Sequence, residues 1–169
     1  SVLPNPWELV GAEVNQNFLL DFEDMKSRIT GKTKAVIFVH FAGLTDENII
    51  TIKDWLNERD IYLLEDAAHA SGGSLFGKKI GSIGDAATFS FYSSKNMTTG
   101  EGGMITTDNT LIAEKCASFR SRGIDITSNQ EIFNSIGTNQ RMTEIQALTA
   151  LQHPSIIKKF RCRYEKIEV

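Results

Sequence analysis

Hydrophobic positions fall into two alternating periods along the chain. Ala35-Val36-Ile37-Phe38-Val39-His40 is apolar at all but its last position, and Gly43 ends the run. A run apolar on both faces predicts a buried strand of a parallel sheet. From Asp46 to Glu58, Ile49, Ile52, Trp55 and Leu56 recur at helical spacing, with Thr45 placed to cap that helix. Ile61-Tyr62-Leu63-Leu64 is the next apolar run, and it ends in Glu65-Asp66. Upstream, Asp21 reads as the N-cap of a helix carrying Phe22, Met25 and Ile29, and Leu9 to Val14 as a short strand. This alternation of strand and helix predicts an α/β fold with a doubly wound, mostly parallel sheet.

Downstream the period changes again. Phe76 to Gly81 has the pattern of a small hairpin or surface loop. Ala86 to Phe91 and Gly103 to Thr107 read as strands. Asp108 or Asn109 caps a helix to about Arg122, closed by Gly123. Residues 124–138 read as an irregular loop, and Thr143 to Leu151 as a short helix opened by a Thr/Glu pair. Pro154 stands at the start of a last helix with Ile157, Phe160, Tyr164 and Ile167 on one side.

Composition narrows the function classes. The 169 residues are 41% hydrophobic and 23% charged, enough for one domain with a real core. Eighteen basic against 21 acidic residues give a net charge of −3, with no basic footprint for nucleic acid or an anionic membrane. No apolar run approaches a membrane span. Cys116 and Cys162 form no CxxC pair and sit in charged, helix-like segments, which points to a reduced cytoplasmic protein. A start at Ser-Val-Leu-Pro points to a partial or trimmed chain.

The candidate chemistry centres on Lys95, between the apolar strand Ala86 to Phe91 and a turn holding Gly100, Gly102 and Gly103. A lysine beside an apolar strand end loses hydration, which disfavours its charged form. A neutral amine forms a Schiff base with a carbonyl, so Lys95 is a candidate for carrying pyridoxal phosphate. That cofactor also needs an acid against its ring nitrogen and small donors for its phosphate. Asp66 supplies the acid, and Ser90, Ser93 and Ser94 the hydroxyls. Ligands of an open parallel sheet bind at the carboxyl ends of its strands, where His40, Glu65-Asp66 and Ser90 to Lys95 are expected to converge. On spacing alone, the plainer reading of Lys95 is a solvated loop lysine and that of Asp66 a helix N-cap.

Three stretches, in order, carry a resemblance. They are Glu-Asp-Ala-Ala-His-Ala (Glu65 to Ala70), the run from Gly84 to Asp108 around Lys95, and Asn-Gln-Arg-Met-Thr-Glu-Ile-Gln-Ala (Asn139 to Ala147). Val36 to Leu44 matches as well, and Lys95 follows Asp66 by 29 positions. The chain resembles the DegT/DnrJ/EryC1/StrS family of pyridoxal phosphate-dependent sugar aminotransferases, within the fold type I superfamily.

The resemblance implies a three-layer α/β/α large domain with a mostly parallel sheet, truncated at both ends. Residues 1–151 would be part of the cofactor domain, and 152–169 a helix leading toward a small C-terminal domain. It implies that Lys95 binds the cofactor covalently and shuttles the proton. Asp66 would face the ring nitrogen, His69 the ring hydroxyl, and Ser90 the phosphate. Asn139 would reach the phosphate of a neighbouring subunit, with Arg141 able to do similar work. The alternative for His69 is a satisfied core histidine. His40 is expected to pack and Glu101 to be structural. The activity implied is amino transfer from glutamate to a nucleotide-linked keto-deoxysugar, in a homodimer or higher homo-oligomer. The alternatives are a dehydratase of the same cofactor family, in which some relatives have His for the lysine, and an inactive remnant that folds only as an oligomer.

Overall fold

The computed structural model describes residues 7–128, 132–133 and 135–152. The expected helix from Pro154, and the 152–169 unit apart from the backbone of Gln152, lie outside the described residues, as does Cys162.

Among the described residues, 9–14 form a largely exposed segment rather than the expected strand. Leu9, Val10 and Val14 have no core to face, and Val14 makes only an isolated antiparallel bridge with Leu20. Helix α1 (Phe22–Arg28) starts where Asp21 predicts, with Asp21 Oδ1 accepting the N–H of Asp24 at 2.8 Å. Strand β1 (Ala35–Val39) follows, then a single 3₁₀ turn at Phe41–Gly43.

Helix α2 (Asn48–Asn57) begins later than Asp46. Thr45 does not cap it: its Oγ1 is buried without a partner, and Asp46 Oδ1 instead accepts the N–H of Asn48 at 3.0 Å. Asp46 closes this turn one residue ahead of Glu47, which stands at the N-cap and makes no side-chain capping bond.

Strand β2 (Tyr62–Asp66) lies parallel to β1. The expected hairpin forms as two short antiparallel strands, β3 (Ser74–Leu75) and β4 (Lys78–Lys79). Strand β5 (Ala86–Ser90) pairs parallel with β2, and β6 (Gly103–Thr106) pairs antiparallel with β5. The main sheet has the order β1-β2-β5-β6, mostly parallel as expected.

Helix α3 (Thr110–Arg120) resolves the choice of cap: Asn109 Oδ1 accepts from the N–H groups of Leu111 and Ile112. Gly123, at φ +80°, returns its N–H to the Ser118 carbonyl and closes the helix. Helix α4 (Glu144–Gln152) is opened by a different pair from the one expected. Gln146 Oε1 accepts the Thr143 N–H at 2.9 Å while Thr143 Oγ1 accepts the Gln146 N–H at 3.3 Å, so Gln146 rather than Glu144 completes the capping box.

The core lies on one side of the sheet. Phe38 and Leu63 pack with Met25 of α1, with Ile49, Ile52 and Leu56 of α2, and with Ile83. Side chains alternate along a strand, so Ile37 and Val39 point the other way, and they remain 50% and 45% exposed. The expectation that β1 is buried on both faces is therefore not met among the described residues: α1 and α2 both cover the Phe38 face.

Candidate active site

Three parallel strands deliver their carboxyl ends to one edge. Val39 is in register with Asp66, and Asp66 with Thr88. The ladder continues one step further: the N–H of His40 donates to the Asp66 carbonyl, and that of Ala67 to the Thr88 carbonyl. By alternation, Val39, Asp66, Thr88 and Ser90 share one face. Glu65, in register with Phe38 and Ala87, points into the core.

Asp66 is not a helix N-cap. Ala67 to Ala70 form a turn, in which Asp66 Oδ1 accepts the N–H of Ala68 at 3.0 Å. That bond holds the carboxylate at the strand end. The turn after β1 packs against this one. The Ala42 N–H donates to His69 Nδ1 at 3.3 Å, and a Cβ on Gly43 would stand 2.9 Å from the His69 carbonyl oxygen. Gly43 has φ +84°, so glycine is required both by the turn and by the close approach. His69 itself is exposed rather than a core histidine.

The lysine loop is closed on itself. The Phe91 N–H donates to the Gly102 carbonyl, the Thr99 N–H to the Phe91 carbonyl, and the Lys95 N–H to the Tyr92 carbonyl. Thr98 Oγ1 adds a bond to the Phe91 carbonyl at 3.1 Å. A Cβ on Gly103 would stand 2.8 Å from the Phe89 oxygen, which is why β6 can begin so close to β5. Gln146 of α4 donates to the Glu101 carbonyl at 2.8 Å and ties that helix to the glycine turn.

Lys95 is half-buried and shares a cavity of about 250 Å³ with Ala42, His69, Ser94 and Asn96. Lys95 and His69 are thus brought together. Asp66 and Ser90 lie at the same sheet edge without lining this cavity, and Ser90 Oγ accepts the N–H of Tyr92 at 3.3 Å. Ser93 is exposed and does not line the cavity either. Asn139 does not line the cavity; it is exposed, bridges Ser121 and accepts from Arg141 Nε at 3.2 Å. A larger concavity of about 1750 Å³ beside α3 contains none of Asp66, His69, Ser90, Lys95 or Asn139. Among the described residues no cluster of His, Cys, Asp and Glu is arranged to hold a metal.

Glu65, expected at the strand-end convergence, instead turns into the core beside His40. Glu65 is 1% exposed, and its carboxylate accepts the N–H groups of Gly81, Ile83 and Gly84 at 2.7 to 2.9 Å. His40 Nε2 lies 3.0 Å from Glu65 Oε2. Burial pushes the Glu65 carboxyl up, but the His40 bond and the three backbone donors outweigh it and hold it below the ordinary range. An ionised Glu65 accepts only, so His40 Nε2 donates. An amine, an imidazole, a carboxylate and a hydroxyl at one sheet edge are the chemical types that a phosphorylated aldehyde with a protonatable ring would need.

The profile of the DegT/DnrJ/EryC1/StrS aminotransferase family matches residues 7–168, which include Asp66, His69, Ser90, Lys95 and Asn139. The chain belongs to that family. An uncharacterized protein of Methanocaldococcus jannaschii is 41% identical to it over 90% of this chain and 42% of its own length. The GDP-perosamine synthase of Vibrio cholerae is 37% identical over 82% of this chain and 37% of its own length. Among solved structures, the Helicobacter pylori aminotransferase PseC, involved in pseudaminic acid biosynthesis, superposes with a TM-score of 0.80 at 31% identity, covering 86% of this chain and 39% of its own. This family member therefore spans about two fifths of the length of the curated relatives it matches.

Proposed function

We propose that this chain is the central part of an enzyme that transfers an amino group from glutamate to a nucleotide-linked keto-deoxysugar, using pyridoxal phosphate. The observation that carries the reading is the shared cavity of Lys95 and His69 beside the strand end that holds Asp66. The family supplies the cofactor class, and relatives named as GDP-perosamine synthases supply the substrate class.

When bound, the cofactor supplies an electron sink that makes a proton on the amine-bearing carbon removable. The residues of this chain then have separate tasks. Lys95 Nζ would hold the cofactor covalently, and its free amine would serve as the group that takes up and returns the proton, as general base and then acid. Asp66 holds a proton on the ring nitrogen, with its own carboxylate fixed by the Ala68 N–H. His69 accepts from Ala42 through Nδ1, so its ring proton sits on Nε2, ready to donate to the ring hydroxyl. Ser90 Oγ offers a hydroxyl to the phosphate. Asn139, which does not line this cavity, is assigned to the neighbouring subunit's phosphate, and the working unit is read as a homodimer or higher homo-oligomer. Residues 1–151 are read as cofactor domain and 152–169 as the approach to a second domain. Among the described residues no helix is long and apolar enough to cross a membrane, in keeping with a cytoplasmic enzyme. Retention of Lys95 favours amino transfer over dehydration.

The experiment is a titration of the purified chain with pyridoxal phosphate, followed by borohydride reduction and peptide mass spectrometry. A reduced adduct on Lys95, and amino transfer from glutamate to a keto-sugar nucleotide, are expected. No adduct at saturating cofactor would sink the reading for this chain.

A further inference from the structure

Glu65 joins three segments that the site needs in fixed relation. It belongs to β2, one residue before Asp66. Its Oε1 accepts from Ile83 and Gly84 at 2.8 and 2.7 Å, and its Oε2 from Gly81 at 2.9 Å. These three donors form the loop that feeds β5, the strand leading to Ser90 and Lys95. The fourth partner, His40, follows β1 and begins the turn whose Ala42 N–H donates to His69. Both His40 and Glu65 are fully buried at the side chain. A carboxylate buried this deeply is costly unless every oxygen is occupied, and here both are. The sequence could fill such a position with an apolar residue, as it does at Leu63 and Phe38 on the same face. The loop is also built close around the carboxylate: a Cβ on Gly84 would stand 2.6 Å from the Leu63 oxygen and 3.2 Å from Glu65 Cγ.

We infer that Glu65 is the positioning residue of the site: by binding Gly81, Ile83, Gly84 and His40 together, it fixes where Asp66, His69 and Lys95 stand relative to one another. It touches neither cofactor nor substrate. This assignment rests on the proposed function for its purpose, though not for its geometry.

Amide hydrogen exchange of Glu65→Gln, alongside pyridoxal phosphate titration, tests it. A glutamine places an NH₂ among backbone N–H donors, so at least one bond of the cluster is lost. Exchange should accelerate about tenfold at Gly81, Ile83 and Gly84, and spread to the Ala42 and Ala68 amides that hold His69 and Asp66, while Ala113 in α3 stays unchanged. Cofactor affinity should fall about tenfold, with borohydride trapping on Lys95 retained. Acceleration confined to residues 81–84, with the Ala42 and Ala68 amides and cofactor affinity at wild-type values, would reduce Glu65 to a structural group and overturn the inference. If Glu65→Gln does not fold, His40→Gln serves the same measurement, because the carboxylate keeps its three backbone donors; spread to the Ala42 amide supports the inference, and its absence overturns it. Failure of the wild-type chain to bind the cofactor would count against the proposed function alone, and the exchange pattern would still decide this inference.

Discussion

Glu65 and Asp66, neighbours in the chain, stand on opposite faces of β2. Glu65 is in register with Phe38 and Ala87 and enters the core, while Asp66 is in register with Val39 and Thr88 on the face that carries Ser90. The two carboxylates have different partners as a result. Glu65 is saturated by buried donors, and Asp66 is held at a half-buried strand end by one backbone N–H. The strand's period of two divides an acidic pair into one group that fixes the scaffold and one that is available to a ligand.

Replacement of Lys95 by alanine should separate folding from chemistry. Lys95 sits half-buried in a turn held by backbone bonds, so stability should stay within about 0.5 kcal/mol of wild type. Covalent trapping of pyridoxal phosphate should vanish, and amino transfer should fall at least about 100-fold. Thermal unfolding, reduced-adduct mass and a coupled glutamate assay measure the three quantities. A trapped adduct on another lysine would move the assignment elsewhere.

His69 is expected to act through a hydrogen-bond donor rather than through bulk. His69→Ala should weaken cofactor affinity about tenfold, and His69→Gln, which keeps a donor, should lie closer to wild type. Absorbance titration of the three proteins gives the order. Equal losses in both variants would show that the ring's fit, and not its Nε2–H, is what the site uses.

Much of this arrangement is legible in the sequence, for physical reasons. The runs at Ala35 to Val39 and Tyr62 to Leu64 are too short and too apolar for anything but strands, and the helical spacing of Ile49, Ile52 and Leu56 has a clear period. Asp21 caps as read, and of the two candidates Asp108 and Asn109 it is Asn109 that caps, each a short acceptor immediately before its helix. Lys95 and Asp66 stand out because a charge at the end of an apolar strand is conspicuous. Thr45 does not cap because the helix starts three residues later, at Asn48, with Glu47 at the N-cap and only Asp46 Oδ1 reaching the Asn48 N–H. Glu65 was invisible as a scaffold group: its donors are backbone N–H groups 16 to 19 positions away, and backbone N–H groups carry no sequence signature. Gln146 was hidden similarly, since its partner is the Glu101 carbonyl, 45 positions earlier.

Packing around the Glu65 loop gives a stability prediction. Gly84→Ala places a methyl 2.6 Å from the Leu63 carbonyl oxygen, a backbone atom that cannot move aside cheaply. The cost should be about 1 to 3 kcal/mol. Gly31→Ala is the control, because a Cβ there meets nothing within 4 Å. It should be neutral or slightly stabilising, since alanine reduces the freedom of the unfolded chain. Urea unfolding of both variants measures the difference, and comparable losses in the two would remove the steric argument.

The acid limb of stability should report on Glu65. Its carboxyl lies below the ordinary 4.5 in the folded protein: burial opposes this, and the His40 bond with the N–H groups of Gly84, Gly81 and Ile83 overcomes it. The folded state therefore binds the proton less readily than the unfolded state. The resulting stability is fully present above the unfolded value of 4.5 and is lost as pH falls through it toward the depressed folded value. His40 is the titratable side chain bonded to this carboxylate. Asp24 and Asp125 are also lowered, by hydrogen bonds at the surface, so wild type alone cannot isolate the contribution of Glu65. The informative quantity is the difference between wild type and Glu65→Gln, followed by urea unfolding from about pH 7 to about pH 3. The gap should be widest near neutrality and narrow steadily below pH 4.5, because glutamine has no proton to bind. A gap of constant size across that range would mean that the carboxylate's charge plays no part in holding the loop.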